Sequence, residues 1–249
     1  MRHSVLVIAV LAAALGCAHG ASKKQRQAAE IHHDLAVEAL RAGRVQEALK
    51  EFEAALASNE RFPEAHRGLG LVLDHGFGRA ADAERAYRRA LELRPDYPEA
   101  HNDLATLLAR AGRLDEALAH FDGALANMMY REPWVARCNK GQALYRAGRH
   151  AEGLSEMKSC VAANPRFCAG HRELGRIHLD EGRVKEALES FGAYARHCEG
   201  TADAHWLLGL ARMKTGDVVE ARAAFARCEE LGGGTAVGEE CRRSRELLQ

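Results

Sequence analysis

The chain is predicted to be all-α, a right-handed solenoid of six helix–turn–helix repeats closed by a C-terminal capping helix. Three observations carry that prediction. A glycine recurs at Gly43, Gly78, Gly112, Gly148, Gly182 and Gly216, and in five of the six cases Arg follows it. Five residues after each comes a small residue (Ala48, Ala83, Ala117, Gly153, Ala187, Ala221), and four further on a bulky one (Phe52, Tyr87, Phe121, Met157, Phe191, Phe225). Segments such as VQEALKEFEAALA place apolar residues at i, i+3, i+4 and i+7, which is helical spacing.

A period of 34 residues with this pattern resembles the tetratricopeptide repeat (TPR), in which helix A, a glycine turn and helix B form one unit. A single hairpin cannot bury its own apolar faces, so neighbours must stack. Small residues let helices A and B approach closely, and the bulky residue on B fills the space between them. Seven residues before the glycine stands another small residue: Ala36, Ala105, Gly141, Gly175 and Gly209. In the second repeat Gly70 is displaced by one, within the stretched turn DHGFGRA.

Taken in chain order, residues 1–16 read as a signal peptide, with Arg2 as a short basic region before an apolar run over 4–15. That run is too short for a helix that must span about 30 Å of hydrocarbon. It ends in Ala14-Leu15-Gly16-Cys17, which resembles the bacterial lipobox with Ala in place of the usual Leu. The resemblance implies cleavage before Cys17 and acyl and diacylglyceryl chains on its sulfur and amine. Ordinary cleavage at a later small residue is the plainer alternative. Residues 17–28 are expected to be a lipidated linker. The six repeats are assigned to 29–62, 63–97, 98–131, 134–167, 168–201 and 202–235, and residues 236–249, containing CRRSRELLQ, to the cap. Between repeats three and four, ANMMYREPW adds two residues, and Pro133 blocks helix continuation.

Balanced charge, 35 basic against 35 acidic residues, offers no electrostatic case for nucleic acid. No nucleophile elbow, zinc-protease helix, phosphate loop or dinucleotide fingerprint is present, so the expectation is a binding protein rather than an enzyme, without metal, cofactor or small-molecule substrate. His32 and His33 are adjacent and do not share one helix face toward a metal. His66, His101, His171 and His205 recur near position 4 of helix A, where a packing role is expected.

Partner binding is expected on the concave face lined by the A helices. Counted by repeat position, the lining is Val37, Leu40, Arg67, Leu71, Asn102, Arg110, Gln142, Tyr145, Arg146, Arg172, Arg176, Leu179, Trp206, Leu210 and Met213. Apolar and cationic groups mixed in this way suit an amphipathic segment of a protein partner. Exposure of Trp206 is expected there.

After Cys17, six cysteines fall in the last three repeats and the cap. In an exported chain an even count suggests disulfides, and six cysteines permit 15 pairings. In an antiparallel hairpin the positions of Cys138 and Cys160 face each other, as do those of Cys168 and Cys198, while Cys228 and Cys241 flank the turn GGGTAVG. The pairs 138–160, 168–198 and 228–241 are therefore expected to staple hairpins and stiffen the C-terminal half. Cys160 and Cys228 as small core residues are the alternative.

The lipobox, six repeats and the interruption Met129-Tyr130-Arg131-Glu132-Pro133 together resemble the type IV pilus biogenesis lipoproteins of the PilF/PilW type. The C-terminal cysteines depart from the enteric and pseudomonad members and fit the myxobacterial ones better. The resemblance implies a pilotin, anchored at the periplasmic face of the outer membrane, that binds secretin subunits and promotes assembly of the pilus pore. The partner site is then expected on the N-terminal repeats. The interruption is expected to shift the superhelix pitch, exposing Met129, Tyr130 and Trp134, unless it is only a tolerated loop. A lipoprotein adaptor that docks a protease or cell-wall enzyme is the alternative function.

Overall fold

Thirteen α-helices follow one another through residues 20–248, the part of the chain that the computed structural model describes, and no strand occurs among those residues. They pair as hairpins: α1 (Lys23–Arg41) with α2 (Val45–Ser58), α3 (Pro63–Leu71) with α4 (Ala80–Leu93), and α5 (Pro98–Arg110) with α6 (Leu114–Ala126). Then come α7 (Pro133–Arg146) with α8 (His150–Ala163), α9 (Cys168–Asp180) with α10 (Val184–His197), and α11 (Ala202–Lys214) with α12 (Val218–Gly232). The last helix, α13 (Ala236–Glu246), packs on α12 and α11. Contacts are dominated by helices of one hairpin and by each B helix with the next A helix, as stacked repeats require. The leader 1–16 and Cys17 lie outside the described residues.

Helix α1 starts earlier than the sequence pattern suggests. Ser22 Oγ accepts from the Gln25 N–H at 3.3 Å, and Gln25 Oε1 accepts from the Ser22 N–H at 2.9 Å. This reciprocal cap satisfies two donors at the helix start. Residues 23–28, assigned to the linker, therefore belong to α1.

Each repeating glycine ends an A helix. All six have positive φ, from +65° at Gly78 to +82° at Gly148. In the first repeat Gly43 N–H donates to Leu40 O at 3.0 Å, and Arg44 N–H donates to Ala39 O at 2.8 Å. This is the Schellman arrangement, which needs a left-handed residue and therefore favours glycine. The arginine that follows pairs with an acidic residue three positions on: Arg44–Glu47 at 2.7 Å, Arg113–Glu116 at 2.6 Å, Arg149–Glu152 at 2.7 Å and Arg183–Glu186 at 2.8 Å. In the sixth repeat Asp217 takes that place and instead accepts from the Glu220 N–H at 3.3 Å.

The displaced glycine of repeat two has a backbone explanation. Residues Val72–Gly76 form a π-helical turn, which accommodates one residue more than an α-turn. Gly70 thereby keeps its place against Tyr87, where a Cβ would come within 2.5 Å of the ring. Gly175 stands against Phe191 and Gly209 against Phe225 in the same way. The six bulky residues of the B helices are all at most 1% exposed.

Repeat four is irregular because its helices are unusually close. A Cβ on Gly141 would lie 2.8 Å from Gly153 O, and one on Gly153 would lie 2.7 Å from Gly141 O. Both positions must be glycine for α7 and α8 to approach in this way, and the flexible Met157 fills the remaining gap. The same hairpin carries a disulfide, Cys138–Cys160, with the Cα atoms 5.3 Å apart. Cys168 at the start of α9 is bonded to Cys198 just past α10, and Cys228 on α12 to Cys241 on α13. Five of the six cysteines are buried and Cys168 is half-buried.

Candidate partner-binding groove

The A helices present two kinds of surface. At the junction of repeats three and four they are joined by polar groups. Asn139 Nδ2 donates to Asn102 Oδ1 at 3.0 Å, and Thr106 Oγ1 donates to Asn102 O at 2.8 Å. Of the A helices, α5 and α7 pack most extensively on each other. One repeat earlier Arg67 Nε donates to Asp103 Oδ2 at 2.6 Å, and its guanidinium lies over the Tyr97 ring. Burial pushes the Asp103 carboxyl up, and the Arg67 guanidinium opposes that shift. Asp74, supplied by the π-helical turn, is paired with Arg110. Arg67, Asn102 and Arg110, expected to contact a partner, are thus committed to bonds within the chain.

Between α7 and α9 the surface opens into a cleft of about 630 Å³, lined by Gln142, Tyr145, Arg146, Arg172, Glu173, Arg176, Ile177 and Asp180. A smaller depression of about 140 Å³ continues it toward α5, sharing Gln142 and Arg146 with the cleft. Five of the predicted lining residues therefore meet here: Gln142, Tyr145, Arg146, Arg172 and Arg176. Glu173, Ile177 and Asp180 were missed by position counting, although Ile177 and Asp180 continue the helical face of Glu173 at i+4 and i+7.

The remaining predicted lining residues divide. Val37 and Leu40 pack partly buried on the first repeat's core, and Leu71 on the second and third repeats' core. Leu179 packs on the core shared by repeats five and six, while Leu210 packs between repeat six and the cap. Met213 is 39% exposed. Trp206 is half-buried, not exposed. It touches the clusters of repeat five and of the cap, and its Nε1–H is buried without a hydrogen-bond partner. Adding the cap encloses the indole, which repeat numbering alone does not reveal.

The interruption also differs from expectation. Met129 is 85% exposed, but Tyr130 is buried against the core of repeats two to four, and Trp134 packs half-buried on Cys138 and Met157. The two added residues form a tethered turn: Asn127 Nδ2 donates to Asp96 O at 2.7 Å, and Met129 N–H donates to Asn127 Oδ1 at 2.8 Å. The turn carries Tyr130 inward, where its ring fills the core of repeats two to four.

The histidines near position 4 are anchors. His66, His101 and His171 each donate from Nε2 to a carbonyl six residues upstream, at 2.8, 2.9 and 2.8 Å. Burial holds His66 and His171 below the ordinary imidazole range. His32 Nδ1 meets Glu51 Oε2 at 2.7 Å, and His33 packs its ring on Phe52 and Phe62. His178 and Ser190 are 3.3 Å apart, but both are buried and the Ser190 hydroxyl donates to Glu186 O, so no substrate reaches that pair.

The tetratricopeptide repeat family profile matches residues 33–76, 76–130, 138–200 and 173–234. The crystal structure of PilW, described as a widely conserved type IV pilus biogenesis factor, superposes with a TM-score of 0.75 at 26% identity, covering 86% of this chain and 98% of that one. PilF of Pseudomonas aeruginosa superposes with a TM-score of 0.72 at 18% identity, covering 89% and 99%. The Hsp70-Hsp90 organizing protein of Triticum aestivum is 30% identical over 130 residues, which is 52% of this chain. The chain spans about a fifth of the length of that curated relative, 21%.

Proposed function

The chain belongs to the tetratricopeptide repeat family, and from that premise we propose that it serves type IV pilus biogenesis as an outer-membrane lipoprotein pilotin. The observation that carries the reading is the likeness to PilW, which extends over 98% of that protein at 26% identity. A match over 86% of this chain and 98% of PilW is more than the shared fold of one hairpin.

In this reading the lipid on Cys17 holds the solenoid at the inner leaflet of the outer membrane. Three acyl chains would make that attachment durable, since one alone binds only marginally. The concave groove binds an unassembled secretin subunit. Confinement to the membrane raises the local concentration of subunits and favours ring formation. The protein contributes binding and placement and no covalent chemistry. The cleft between α7 and α9 lies on repeats four and five, whereas Arg67 and Arg110 on the A helices of repeats two and three are engaged by Asp103 and Asp74, which favours repeats four and five as part of the contact.

The test is a strain lacking this protein, complemented with the wild type or with Cys17→Ser. Heat- and detergent-resistant secretin multimers are read by gel. Loss of multimers with the monomer still present is the expected result, and Cys17→Ser at normal protein level should fail to restore them. Normal multimers in the deletion strain would overturn the reading and leave an adaptor for a periplasmic enzyme as the better account.

A further inference from the structure

We propose that the cleft between α7 and α9 is a cationic subsite for acidic side chains within an amphipathic segment of the protein partner. The proposal rests on the reading of the groove as the partner site and adds the chemistry of what enters it. Arg146, Arg172 and Arg176 converge on the cleft from two adjacent A helices. Arg172 is paired with Glu173 at 3.0 Å. Arg146 and Arg176 have no ion pair among the described residues, whereas Arg85, Arg88, Arg89 and Arg227 on the B helices do. The anions facing the cleft are Glu173, already engaged, and Asp180. The two unpaired guanidiniums leave ten N–H donors in total, in planar forks that match carboxylates, unused by the protein.

The cleft is also not a dead end. It runs on toward α5 through Gln142 and Arg146. Outside its lining, Met213 on α11 is 39% exposed and Leu179 on α9 is half-buried. A chain can therefore pass across it, placing carboxylates over Arg146 and Arg176 and apolar side chains against the half-buried Tyr145 ring and the aliphatic stems of the arginines. A clamp for a chain terminus needs a closed end, which this surface lacks. Opposite charge across a groove contributes to specificity and association rate, and salt weakens it.

The test uses the purified, disulfide-bonded protein and three fluorescent amphipathic peptides. Each has leucines at i, i+3, i+4 and i+7. The first has Glu at the polar positions and an amidated C-terminus. The second replaces each Glu by Gln. The third is the Gln peptide with a free C-terminal carboxylate. Anisotropy titrations should show the Glu peptide binding about tenfold more tightly than the amidated Gln peptide at low salt, with the gap closing as ionic strength rises. Arg146→Glu with Arg176→Glu should abolish the preference. Both positions are exposed, so unchanged circular dichroism and midpoint temperature are expected and are measured alongside. Equal binding of the Glu and Gln peptides, binding of neither, or a preference that survives the double charge reversal would each overturn the proposal. Matching affinity of the free-carboxylate Gln peptide and the Glu peptide would also overturn it, in favour of a chain terminus. None of these outcomes bears on secretin multimers in the deletion strain, so the subsite and the pilotin reading can fail separately.

Discussion

Removing the Cys228–Cys241 bond should loosen the cap and little else. Helix α13 is eleven residues long and fully buries only Gly238 and Cys241, with Val237 partly buried beside them, so its apolar contact is small. The bond closes a loop with a sequence separation of 13 residues. Loop-closure entropy for that length is about −9.7 cal/mol/K, or about 2.9 kcal/mol at 25 °C. That corresponds to roughly a hundredfold change in the opening constant of α13. Both sulfurs are fully buried, so Cys228→Ala with Cys241→Ala is the cleaner variant, because serine would bury two hydroxyls. Hydrogen exchange read by mass spectrometry should show about a hundredfold loss of protection in α13, a smaller loss in α12 and α11, and no change from α1 to α8. The gradient follows from nearest-neighbour coupling in a solenoid. Protection in α13 within about threefold of the oxidised protein would refute the entropic reasoning. Loss spread evenly over all six repeats would refute the nearest-neighbour part.

Gly141→Ala should cost about 1–3 kcal/mol in urea unfolding, because its Cβ would meet backbone at 2.8 Å. Gly192→Ala, which meets only the far end of Arg196 at 3.3 Å, should be neutral or stabilise by about 0.5–1 kcal/mol through helix propensity. Tyr130→Ala should cost about 3–5 kcal/mol while Met129→Ala stays within about 0.5 kcal/mol, a contrast that the same unfolding curves measure. Acid should destabilise the fold before carboxylates titrate: burial lowers the pKa values of His66, His120, His171, His178 and His205 from 6.5. Their folded state favours the neutral ring, so this stability is full above the unfolded value and is lost as pH falls below 6.5. The midpoint temperature should fall between pH 7.5 and 5.5, and His171→Gln should flatten the fall.

Periodicity made most of the fold legible. The recurring glycines, small residues and aromatics each correspond to a separate local requirement: a positive φ, a close helix approach and a filled gap. Those requirements act within one hairpin, so the sequence alone exposes them. The three cysteine pairs were legible for a related reason, since each lies within a hairpin or across one short turn, where residue position and spatial position are nearly the same. The start of α1 was not. Its cap depends on Ser22 and Gln25, outside the repeating pattern.

The groove was only partly legible for a physical reason. Repeat numbering says which face a residue occupies but not what a neighbouring repeat places beside it. Arg67 and Arg110 occupy the expected face, yet Asp103 and the Asp74 of the π-helical turn engage them. Trp206 also occupies its expected position, and the cap and fifth repeat enclose it. Tyr130 reads as an exposed loop residue until the turn at Asn127 is folded and the ring finds the core of the preceding repeats. Local chemistry along the chain determined the helices, their turns and their pairing. Only the stacking of one repeat on the next decided which groove side chains remain free, because the ion pairs that engage Arg67 and Arg110 join residues 36 positions apart.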